Sequence, residues 1–359
     1  MTNSDMRVSR EWATRPNDQR FLSLQELSEF VHKRTDVSKV AVVENKALRV
    51  YGTAENELVV NTELGPKMFT NWSFGQLASL VGAPGSYLKK LTSPLAAACI
   101  NEGIDNRDKA EIMVLAGLGA DDTPLVRAFT GPTYGRIWDY QCVDDTIKFA
   151  DPAVWGIPSS SYSTTNPLRA TTLYASDRDV FIFLVDEKNP IDIDGRMMKR
   201  GFIVSNSETG SHLFWIAGFL YDTVCDNRII WGISHKIEIQ IRHCSGAPER
   251  FLTEGAKAIE EYSNSSATPM IEQIKRAQSI KLGNDEDEIK AFLAKRNFTL
   301  SSANGIIETS KAEGYDFYSA WGITQGITAK ARAIPHTDTR IVMEKMAGKI
   351  LDMTAGTIQ

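Results

Sequence analysis

Apolar residues recur along this chain with two periods, and the period changes with position. From 23 to 36 the spacing is helical. Leu24, Leu27, Phe30 and Val31 form one stripe behind Ser23, and Glu26 follows the cap by three residues. Short apolar runs at 37–43, 47–51 and 57–62 are separated by polar turns, which predicts a meander of antiparallel strands. Helical spacing returns over 69–91, where Trp72, Leu77 and Leu80 are apolar and Gly82 and Pro84 sit at a turn. Another helix starts at Ser93-Pro94 and runs to Asn101. Strands are expected over 111–117 and 125–130, and Asp139 caps a helix reaching Phe149. The Ser/Pro-rich stretch 151–167 predicts a loop. A hairpin follows over 169–174 and 179–185. Its second strand is apolar on both sides and therefore central.

The stretch 201–244 gathers rare residue types. A strand runs into the polar turn Ser205-Asn206-Ser207-Glu208-Thr209-Gly210, and an apolar run leads to a second polar knot, Cys225-Asp226-Asn227-Arg228. Both knots follow apolar segments and are expected at the same end of a sheet. Beyond them Ile237, Ile239 and Ile241 alternate with Lys236, Glu238, Gln240 and Arg242. That alternation gives one strand a polar face with cations at both ends. From 248 onward the spacing is helical, over 251–262, 268–280, 285–294, 315–331 and 338–353. The expected class is α+β: a mainly antiparallel sheet decorated by helices, with a helical C-terminal part. Three regions follow: an arm at 1–22, an α+β core at 23–247, and a helical region at 248–359 packed on that core.

Composition narrows the setting. Hydrophobic residues make up 42% and charged residues 24%, and the net charge is -5. These values fit an ordinary globular protein and argue against a globally basic nucleic-acid coat, while leaving room for a local basic groove. No apolar run approaches the ~18 residues of a membrane helix, so no membrane partner is expected. The first residues lack the apolar core of an export signal. Cys99, Cys142, Cys225 and Cys244 form no C-x-x-C pair, which fits reduced thiols in a cytoplasm. There is no phosphate loop, no G-x-G-x-x-G, no G-x-S-x-G and no H-E-x-x-H, and neither cofactor nor metal is expected.

Four motifs, WSFGQLASLVGAPGSYLKKL, RAFTGPTYGRIWDYQCVDD, SNSETG and FLYDTVCDNRIIWG, occur in one order. In that order the chain resembles the phage/plasmid-like proteins grouped as a domain of unknown function, number 932. The resemblance spans roughly residues 10 to 340. It implies a phage, prophage or plasmid protein acting in bacterial cytoplasm, and it carries no catalytic residue onto this sequence.

Three chemistries compete for the stretch around 201–244. The leading one is a groove for single-stranded nucleic acid, acting in recombination or replication. Arg196, Lys199, Arg200, Arg228, Lys236 and Arg242 would meet phosphates, with Trp231 and Tyr134 stacking on bases. The second is metal-dependent phosphoryl-transfer or nuclease chemistry at Asp179, Asp192, Asp194 and Glu208. The third is an interaction protein that engages or inhibits a host factor. Zinc at Cys225, His235, His243 and Cys244 is disfavoured, because no two of them have knuckle spacing. Self-association into a homo-oligomer is a further expectation.

Overall fold

A computed structural model describes residues 19–108, 111–119, 121–158, 171–193, 195–222, 228–229, 239–332 and 337–356. Most of the arm, much of the 151–167 loop, Asp194, Trp231, Lys236 and the knot at 225–227 lie outside the described residues. The fold is α+β, as the hydrophobic pattern predicts, and it is built on two sheets.

The chain opens with β1 (Arg20–Phe21) and α1 (Leu24–Asp36), whose cap Ser23 accepts a hydrogen bond from the Glu26 amide. A six-stranded sheet follows. Its members are β2 (Lys39–Glu44), β3 (Arg49–Gly52), β4 (Leu58–Thr62), β5 (Gly65–Phe69), β6 (Glu111–Leu118) and β7 (Pro124–Thr130), in the order β2-β6-β7-β5-β4-β3. Of the predicted meander only the β3–β4 pairing holds: β2 pairs with β6 at the opposite edge of the sheet, and β5, a strand the pattern does not predict, continues from β4. The sheet is mixed, however, because β5 pairs with β7 in parallel. Helices α2 (Asn71–Leu80), α3 (Gly85–Leu88) and α4 (Ser93–Asp105) form the connection such a parallel pair requires. They bury Phe74, Leu77, Ala97 and Ile100 against Val43, Val60, Val114 and Phe129 of the sheet.

The larger sheet has nine strands. Along its path run β1, β9 (Leu173–Ala175), β10 (Val180–Asp186), β12 (Arg196–Asn206), β13 (Phe214–Asp222) and β14 (Arg228–Ile229). The short strands β8 (Trp155–Gly156), β11 (Ile191–Ile193) and β15 (Ile239–Ile241) pair beside them. Strand β10 is buried at every position and lies between β9 and β12, the central place its apolar run predicts. One face of this sheet packs on α1, on α5 (Asp139–Phe149) and on the helix from Ala247, through Leu27, Val143, Phe202, Phe214, Phe251 and Tyr262. The other face carries Tyr174, Phe181, Phe183, Trp215, Phe219 and Tyr221.

The C-terminal region is helical as expected. Helix α6 (Ala247–Arg250) passes through a π turn into α7 (Ala256–Ser263), followed by α8 (Thr268–Ser279), α9 (Glu286–Ala294), α10 (Leu300–Ala312), α11 (Ala320–Arg332) and α12 (Thr337–Gly356). Their shared core reaches Ile191, Ile193, Met198 and Leu220, so the helices close over one end of the larger sheet. Helix α10 is an addition to the predicted elements.

One expectation fails. The turn at 207–213 links β12 to β13 at one end of the sheet, whereas Tyr221 near the far end of β13 pairs with Arg228. Arg228, the described residue of the second knot, therefore lies at the opposite end of β13 from the buried turn. Successive antiparallel turns alternate ends, so knots one strand apart cannot share one.

Candidate functional site

The turn after β12 is polar, yet Ser205, Asn206, Ser207, Glu208 and Thr209 are all fully buried. Buried polar groups need partners, and the partners come from segments distant in sequence. From α2, Trp72 Nε1 donates to the Thr209 carbonyl at 3.1 Å and Gln76 Nε2 to the same oxygen at 2.8 Å. The Gln76 side-chain oxygen accepts the Phe129 amide at 3.1 Å, which ties the turn to β7. The Tyr134 hydroxyl donates to the Ser207 carbonyl at 2.8 Å, and Arg136 donates to the Glu208 carbonyl. From the β9–β10 turn, the Arg178 carbonyl accepts from Ser207 Oγ at 2.6 Å and from Thr209 Oγ1 at 2.8 Å. Gly210, at φ +83°, ends the turn in a conformation other residues adopt with strain.

At the centre lies a charge cluster. Glu208 is bound by the guanidiniums of Arg127 and Arg34 and accepts the Asp139 amide at 3.1 Å. Asp139 in turn pairs with Arg34 at 2.6 Å and accepts from Asn206 Nδ2, also at 2.6 Å. Arg127 reaches Glu208 because β7 bulges there. Leu115 faces Ala128 while Ala116 faces Val126, which leaves Arg127 as the extra residue. Gly117 makes room for it, since a Cβ at that position would lie 2.7 Å from the Arg127 side chain. Burial alone would raise the Glu208 carboxyl. The Arg127 and Arg34 charges overcome that and bring it down to about 2. Asp139 moves the other way, pushed well above the carboxylate range by burial and by the neighbouring Glu208 charge. The quoted motifs thus meet in space: Trp72 and Gln76, then Arg127, Tyr134, Arg136 and Asp139, then the buried turn. Chemically this assembly is a closed ionic junction between the two sheets.

The residues expected to form a nucleic-acid groove divide. Arg200 is buried and pairs with Asp186 at 3.0 Å, with a further bond to Ser265 Oγ at 2.9 Å. Tyr134 stacks on His243 with centroids 5.0 Å apart and lies under Arg136, and burial holds its hydroxyl above the usual phenol range. Neither presents a free face to a base or a phosphate in this structure. Lys199 lies opposite Tyr221 in the β12–β13 register and pairs with Glu187. Arg196 opens β12 and Arg228 opens β14, while Trp231 and Lys236 lie outside the described residues. Arg242 is exposed. Just before it, β15 sets Gln240 opposite Trp215. His243, beside Arg242, bonds the Gly135 carbonyl at 3.1 Å, and burial lowers its pKa to about 4.

The carboxylates considered for a metal are separately committed. Glu208 is held by arginines, and Asp179 accepts from Ser176 Oγ at 2.8 Å. Asp192 accepts the Gly195 amide at 2.7 Å, and Asp194 lies outside the described residues. Among the described residues, no group of three His, Cys, Asp or Glu side chains is arranged to hold a metal ion. No described helix is long and apolar enough to cross a membrane.

Sequence reading singled out Glu208 and Tyr134 but missed Arg34, Gln76, Arg127, Arg136 and Asp139 as their partners. The available signal was Arg127 and Arg136 flanking one short motif, which only the fold connects to the turn.

Comparison with known proteins adds one finding. Residues 167–313 match the family model described as Domain of unknown function (DUF932). The resemblance read from the motifs is borne out over that segment, which includes the buried turn, the larger sheet from β9 onward and the helices through α10. No curated protein and no solved structure matches the chain.

Proposed function

We propose that this protein binds single-stranded nucleic acid along the ring-bearing face of the larger sheet, in recombination or replication of a phage or plasmid. One observation carries the reading. The β13–β15 register sets Gln240 opposite Trp215, on the face bearing Trp215, Phe219 and Tyr221, and the exposed Arg242 follows directly after β15. Lys199, opposite Tyr221, borders the same face two strands from β15. Cations beside a sheet face rich in rings suit a single strand, whose phosphates need charge and whose bases need flat apolar surfaces. The rings themselves are buried. The first contact is therefore ionic, at Arg242, and stacking follows only where the rings become uncovered. Arg200 and Tyr134 take no direct part, since both are committed inside the fold.

The experiment is fluorescence anisotropy of a labelled oligonucleotide against wild type and Arg242→Glu, repeated over a salt series. The reading predicts binding that weakens steeply with salt and a clear loss of affinity in the variant. Equal affinity in the variant would remove Arg242 from the contact surface, and no binding at low salt would end the reading.

A further inference from the structure

Among the described residues, three of the four strands that end the paths of the two sheets are short or closed. In the larger sheet the path ends at β1 and β14, each two residues long. In the smaller sheet β3 is closed by a side chain. Asn101 of α4 accepts the Val50 amide at 2.9 Å and donates to the Val50 carbonyl at 2.9 Å, so one amide group pairs the edge as a strand would. The fourth edge, β2, has six residues, Lys39–Glu44, and pairs only with β6. Among the described residues no hydrogen bond reaches its outer side. It contains no proline and no bulge, the usual protections of an open edge. Val40 is 44% exposed and Val42 is 47% exposed on one face, while Val43 is buried against the helices on the other.

We infer that β2 pairs with β2 of a second copy, antiparallel and centred on Ala41, which joins the two smaller sheets into one. Pairing across a two-fold axis normal to the sheet keeps each face on its own side. Residues directly opposite must then share a face, which restricts the register to even steps. Centring on Ala41 sets Val40 opposite Val42 of the second copy, and Val42 opposite its Val40. All four exposed valines then meet as cross-strand pairs, the contacts that stabilise one strand on another. A shift by one step toward Glu44 would set Val40 against Glu44. A shift the other way would set Val42 against Ser38. Charge agrees with the chosen direction. In this register Lys39 of one copy faces Val43 of the other and Glu44 faces Ser38, so no like charges meet, whereas in-register parallel pairing would set like charge on like. The surface suits a second copy of this chain because the same short strand supplies both halves of the match.

Light scattering after gel filtration of the full chain, without nucleic acid, tests the proposal. Wild type is expected at twice the chain mass and Val40→Lys/Val42→Lys at the chain mass. Both side chains are exposed, so the variant is expected to keep the wild-type circular dichroism and melting temperature. A monomeric wild type, or a variant that remains dimeric, overturns it. Register is tested by mixing Val40→Cys with Val42→Cys chains in which the exposed Cys99 and Cys244 are replaced by Ser. Oxidation is expected to cross-link the mixture far more than either chain alone. Equal or no cross-linking contradicts the Ala41-centred register.

Discussion

Glu208 shows how one side chain can hold two sheets together. It sits in the interior with no exposure and is compensated by Arg127, Arg34 and the Asp139 amide. Removing one partner of a buried ion pair leaves an uncompensated charge, at a cost of about 3–5 kcal/mol. Glu208→Gln is therefore expected to lose stability on that scale in urea unfolding. Asp139→Asn should lose much less, because burial and Glu208 already oppose its charge. The pH dependence follows from the same two shifts. Glu208 is depressed from 4.5 to about 2, so its contribution is complete above pH 4.5 and disappears as pH falls toward 2. Asp139 is raised above 3.8, so its protonation favours the folded state as pH falls from neutral. Wild type is expected to hold its urea midpoint down to about pH 4.5 and lose it steeply below. In Glu208→Gln the steep loss should be reduced. An unchanged acid limb would show that Glu208 does not govern it.

At the scale of elements, the hydrophobic pattern located most strands and helices but not all of their pairings. Helix α5 begins at Asp139 and ends at Phe149, as its spacing predicts, and β6 and β7 fall within a residue of expectation. Strand β5 is not marked by the pattern, since Gly65 and Pro66 have the composition of a turn, although Pro66 is tolerated near the start of a strand. Helix α10 was hidden by its Ser, Asn and Gly content. Its visible signals were the Thr299 cap and the helical spacing of Ala303, Ile306, Ile307 and Ser310. Gly326 of α11 lets the two helices approach closely: a Cβ there would meet the Ile306 carbonyl at 2.4 Å and the Ser310 side chain at 3.0 Å. Two predictions belong here. In Asn101→Ala both bonds that close β3 are lost, so the Val50 amide should exchange with solvent faster and stability should fall by about 1–3 kcal/mol. Unchanged exchange at Val50 would mean that Asn101 does not close that edge. In Gly201→Ala, a Cβ would lie 2.3 Å from the Phe219 ring and 2.6 Å from the Leu184 carbonyl. A loss of at least about 1–3 kcal/mol in chemical unfolding is expected from this overpacking. A stability equal to wild type would show that the central strands can part to admit a methyl group.

For the whole molecule, class and helical C-terminal part were readable from periodicity, while the division into two sheets and the burial of the polar turn were not. A run such as Ser205 to Gly210 has the composition of a solvated turn. Only the convergence of α1, α2, β7 and the segment before α5 makes it interior. The same limit shaped the expected groove. Charge and ring content pointed to the larger sheet, but Arg200 and Tyr134 are consumed by Asp186 and by the buried turn. Arg242 remains the exposed cation beside the ring-bearing face among the residues described. The most direct measurement of the functional account is tryptophan emission of the full protein titrated with a single-stranded oligonucleotide at low salt, against a duplex of the same length. The account predicts a saturable change with the single strand that salt reverses, weaker with the duplex and weakened by Arg242→Glu. Unchanged emission together with an unchanged sedimentation rate of the oligonucleotide would contradict it.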